Sequence, residues 1–96
     1  MTTSINLSGR VAQVPDLRTT PAGTSVLRLL VDCGENGTPM LMNVRVVGAH
    51  ADQLAPHVRV GTAVRAIGQL RLAHGSRNLN VMEVIADELV VADTAV

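Results

Sequence analysis

Short β-branched runs of alternating polarity, each closed by turn residues, constrain this chain more than any other feature of its sequence. Leu27, Leu29 and Val31 alternate with Arg28 and Asp32. Met42, Val44 and Val46 alternate with Leu41, Asn43, Arg45 and Val47. Val64, Ala66, Gly68 and Leu70 alternate with Arg65, Ile67, Gln69 and Arg71. A period of two places one set of side chains inside and the other outside, as in strands buried on one face. The 96 residues allow one domain. With 0% aromatic residues, its core must be built from Val, Leu, Ile, Met and Ala.

The spacing predicts five strands. The first runs over Ile5–Val14, with Ile5, Leu7 and Val11 on one phase and Gly9 marking a bulge or bend. Residues 15–24 read as a loop turning at Pro21-Ala22-Gly23. Ser25–Cys33 is the second strand and Met40–Val47 the third. Between them lies Asn36-Gly37, the residue pair favoured in a two-residue type I′ hairpin turn. Residues 48–55 favour a short helix that Pro56 confines. Ala63–Leu72 is the fourth strand, His74-Gly75-Ser76 a turn, and Leu79–Val91 the fifth strand, bent or ended near Asp87-Glu88. The fold class expected is all-β: a five-stranded OB-fold Greek-key barrel with a short helix between strands 3 and 4. Pattern alone leaves other small barrels open.

Formal net charge is +0, which argues against nucleic-acid binding by bulk charge. The distribution is uneven. Residues 1–82 hold all eight Arg against Asp16, Asp32, Glu35 and Asp52, whereas residues 83–96 hold Glu83, Asp87, Glu88 and Asp93 and no base. All basic residues are Arg, the side chain suited to bidentate phosphate contacts and to stacking. No apolar run approaches the ~18 residues of a membrane span, and no secretory leader is recognisable. Cys33 is the only cysteine, so no intrachain disulfide forms, in keeping with a reducing cytoplasm.

Residues 5–29, INLSGRVAQVPDLRTTPAGTSVLRL, resemble the opening of the bacterial single-stranded DNA-binding protein family. The resemblance rests on Asn6, Leu7, Gly9, Pro15, Asp16, Arg18, Pro21 and Gly23. Residues 43–72 resemble the family's middle through Gly48, Gly61 and Gly68-Gln69-Leu70-Arg71, and residues 81–91 resemble its last strand. The resemblance implies an OB barrel, usually a homotetramer; the related primosomal replication protein N is a dimer of similar size. The family stacks bases on aromatic side chains, and this sequence has none. Thr19, Leu41 and Val47 stand where aromatics are common, and the Asn36-Gly37 hairpin is shorter than the family's basic one. The expectation is a single domain over residues 1–96, without the acidic C-terminal tail ending in Phe.

Candidate DNA-binding residues are Arg10, Arg28, Arg45, Arg65 and Arg71 on polar strand phases, and Arg18 and Arg77 in loops. Guanidinium groups can follow the phosphates of one strand and stack on bases; the same pattern also describes an ordinary solvated face. Without aromatics, affinity is expected to be weaker and more salt-sensitive than is usual for the family. Met40 and Met42 read as core gap-fillers, and Cys33 as a small buried hydrophobe. His50, Asp52 and His57 match no metal-ligand spacing, so no metal, cofactor or enzymatic activity is expected. The leading reading is sequence-tolerant single-stranded DNA binding in replication, recombination or repair by a cytoplasmic homo-oligomer, with replication proteins as further partners. The alternative is an OB-fold protein-interaction or assembly subunit with weak or lost DNA binding.

Overall fold

The computed structural model describes residues 3–74 and 80–92. Its strands are β1 (Thr3–Val11), β2 (Asp16–Thr19), β3 (Ser25–Asp32), β4 (Leu41–Val47), β5 (Ala63–His74) and β6 (Asn80–Val91). A helix, α1 (Ala49–Leu54), and a 3-10 turn over Ala55–His57 join β4 to β5. Strand order is β1-β5-β6-β4-β3-β2, and a β1–β3 pairing closes the ring. All neighbours run antiparallel except β4 and β6, which are parallel. This is the expected OB barrel, with the helix between the third and fourth of its five long strands.

Several segments differ from the reading of the sequence; β5, expected to end at Leu72 before a turn at His74, runs through His74, which pairs with Asn80. The first strand ends at Val11 rather than Val14. Residues 15–24 are not all loop, because Asp16–Thr19 pairs with β3. Four residues carrying Asp, Arg and Thr give little strand signal of their own, and the exposed edge of β3 supplies the hydrogen bonds.

The alternation holds throughout the core. Leu27 and Val31 are 0% exposed, and Val11, Leu29, Val44 and Val64 are at most 3%. Ala51 of α1 closes one end of this cluster. Ser25 ties the helix down: its hydroxyl lies 2.8 Å from both Asp52 carboxylate oxygens, and its carbonyl accepts the Gly48 N–H at 2.8 Å. Met42 packs against the core, but Met40 is 54% exposed. Cys33 is half-buried rather than fully inside, and its thiol donates to the Met40 carbonyl at 3.3 Å. Both stand at or past the strand ends, where the core no longer reaches.

Ring closure depends on Gly9. β1 pairs with β5 from Thr3 to Arg10 and with β3 at Arg10 and Val11. A Cβ on Gly9 would lie 2.8 Å from Val31 Cγ1 and collide with the Asp32 carbonyl. At the Asn36-Gly37 turn, φ is 56° and 77°, and Thr38 N–H donates to the Glu35 carbonyl at 3.0 Å. Both positive φ values are those of a type I′ turn. In β6, Glu88 faces Ile67 while Ala86 faces Gly68, so Asp87 is the extra residue of a bulge, at the bend expected there.

Candidate nucleic-acid interface

The outer face of β2, β3, β4, β6 and β5 carries five of the seven candidate arginines, and one groove and one shared carboxylate link four of them, Arg18, Arg28, Arg45 and Arg71. Arg28 of β3 is directly opposite Arg45 of β4. Arg18, placed in β2 rather than a loop, is opposite Val26 of β3, two residues before Arg28. Arg71 of β5 is opposite Glu83 of β6, and Glu83 is opposite Asn43 of β4. Arg18, Thr19, Thr20, Val26, Arg28 and Arg45 line one shallow groove of about 270 Å³.

Each guanidinium has a different environment. Arg18 Nε is 2.8 Å from Asp16 Oδ2, and both side chains are exposed, so the pair contributes little to stability. Asp16 stands opposite Arg28 in register, yet its only ion-pair contact among the described residues is with Arg18. Arg28 is exposed and makes no ion pair among those residues. Arg45 Nη2 lies 3.4 Å from Glu83 Oε2, and Arg71 Nε lies 3.4 Å from Glu83 Oε1. Glu83 is 6% exposed, the one buried charged residue among those described.

The other candidates lie apart. Arg10 Nη1 donates to the Gly61 carbonyl at 3.0 Å, which ties β1 to the turn before β5. Arg65 is six residues from Arg71 along β5, roughly 20 Å away. It borders a separate hollow with Ser8, Val64 and Val90. Arg77 and the turn at His74-Gly75-Ser76 involve residues outside those described. His50 and His57 are exposed, and no group of three metal-ligating side chains occurs among the described residues.

Sequence reasoning missed Glu83. It stands in an acid-rich segment and carries no motif, so nothing local marks it as the partner of Arg45 and Arg71. Apolar side chains share the outer face: Leu41 is 54% exposed, and Val47, opposite Val26, is 47% exposed.

No curated protein matches this sequence. Among solved structures, a deletion mutant of the single-stranded DNA binding protein from Thermus aquaticus superposes with a TM-score of 0.80 at 26% identity. The match covers 93% of this chain and 40% of that one, so this chain spans well under half of its relative's length. The model of the "Single-strand binding protein family" matches residues 2–92. With the barrel, the helix and the strand order already in place, that match over nearly the whole chain makes this protein a member of the single-strand binding protein family.

Proposed function

We propose that this chain binds single-stranded DNA, without catalysis and with tolerance of sequence, through the outer face of β2, β3, β4, β6 and β5. The carrying observation is the direct register of Arg28 with Arg45. Like charges placed opposite each other on one sheet face destabilise it. The fold gains nothing from that arrangement, whereas a phosphate taken up at Arg28 relieves the repulsion. Arg18 extends the cationic groove toward the edge of the sheet. Roles in replication, recombination or repair accord with family membership, and the single half-buried Cys33 accords with a reducing cytoplasm.

Anisotropy of a labelled oligo-dT, followed at low and moderate salt, tests this reading. Binding should weaken steeply with salt, and Arg28→Gln should lower the salt slope by about 0.7. No detectable binding by the parent at low salt overturns it.

The zero net charge and the exposed aliphatic residues favour a second reading, a barrel that serves protein contacts instead. Both readings accord with a homo-oligomer. β1 is paired on its second side only at Arg10 and Val11, and β2 is the last strand in the order; such edges invite cover. Light scattering at micromolar concentration should give at least twice the 10.1 kDa chain mass.

A further inference from the structure

Glu83 is a buried acid on a face otherwise supplied with arginine. Its two ionic contacts are both 3.4 Å long, whereas charge-assisted hydrogen bonds run about 2.7–2.9 Å. Its Oε1 and the Arg45 Nε are buried with no hydrogen-bond partner among the described residues. The carboxylate thus holds two guanidiniums by charge while the Arg45 Nε goes without a partner. β4 and β5 flank β6 on opposite sides, so Arg45 and Arg71 reach Glu83 from opposite sides. A backbone phosphate carries the same single charge as the carboxylate and sets its two free oxygens at tetrahedral corners, so it is an anion that competes for the same pair of forks.

We propose that Glu83 is an internal anion that occupies the seat between Arg45 and Arg71 and so keeps a phosphate group out of it. The inference rests on the reading of this face as the path of the nucleic acid. Arg28, which pairs with no carboxylate among the described residues, then takes phosphate freely, while Arg45 and Arg71 are held close to the sheet. Glu83 thereby limits how many phosphates the face neutralises, and with that the affinity and its salt dependence. A purely structural Glu83 would affect the melting temperature alone.

The test follows the arginine Nε–Hε NMR signals of the parent and Glu83→Gln as inorganic phosphate is added, beside oligo-dT titrations of both proteins. In the parent, the Arg28 signal should move while those of Arg45 and Arg71 stay. In E83Q, the signals of Arg45 and Arg71 should move as well. The oligo-dT salt slope of E83Q should steepen by about 0.7 for one added phosphate, so the affinity lost between ~50 and ~200 mM salt grows roughly threefold. Parent signals of Arg45 and Arg71 that move as far as that of Arg28 overturn the proposal. So do unmoved Arg45 and Arg71 signals in a folded Glu83 variant, with Glu83→Ser replacing E83Q if the latter does not fold. If the parent binds no oligo-dT, the DNA-binding reading fails, while the phosphate titration still decides the role of Glu83.

Discussion

The carboxylate of Glu83 lies 3.4 Å from Nη2 of Arg45, across the parallel pairing of β6 with β4. The two residues are 38 positions apart in sequence, and neither is fully solvated: their side chains are 8% and 27% exposed. A charge withdrawn from water must be offset by its partner, so each depends on the other. Arg71 reaches the same carboxylate but remains 57% exposed, which leaves solvent to screen its share.

The two arginines should therefore differ in their effect on stability. Arg45→Met leaves Glu83 buried with one exposed partner and should cost about 1–3 kcal/mol. Arg71→Gln should cost no more than about 1 kcal/mol. Urea denaturation of both variants checks the order; equal losses would show that burial of the pair does not set its worth.

Gly9→Ala should cost about 2–4 kcal/mol, because the added methyl meets backbone as well as a side chain. The Asp32 carbonyl cannot withdraw without opening the β1–β3 pairing that closes the ring. Thermal melting provides the measurement, and an unchanged midpoint would mean that β1 shifts freely.

Acid should loosen the β3–β4 hairpin. Asp32 Oδ1 accepts the N–H groups of Gly34 at 2.9 Å and Met40 at 3.1 Å. These bonds, first from Gly34 and then from Met40, hold its carboxyl below the ordinary value. A lowered folded-state pKa stabilises the fold above the unfolded value of about 3.9, and that contribution is lost as pH falls through the lowered value. The stability advantage of the parent over Asp32→Asn should be full near neutrality and shrink in acid. Paired denaturation curves across that range test the sign.

Leu41→Trp should tighten oligo-dT binding by about 1 kcal/mol by offering a stacking surface. Leu41 is exposed on the face that carries Arg45, four residues along the same strand. Anisotropy titration reads the change, and tryptophan quenching on binding shows whether a base reaches it.

What the sequence determined by itself is local. Alternation set which side of each strand faces the core, because successive side chains on a strand must point to opposite faces. Asn36-Gly37 set the hairpin turn, because only such residues accept positive φ cheaply there. The barrel plan and the outward phase of Arg28, Arg45, Arg65 and Arg71 were legible for the same reason. Only the tertiary structure decided which of the outward-facing arginines come together. Arg18, Arg28, Arg45 and Arg71 converge, Arg65 does not, and Arg10 is tied to the Gly61 carbonyl. It also turned Asp16–Thr19 into a strand by placing it beside β3. It drew Glu83 out of the acid-rich segment and between two arginines, through strand register that no local stretch encodes. Ion pairing depends on distances across strands far apart in sequence, and those distances exist only once the ring has closed.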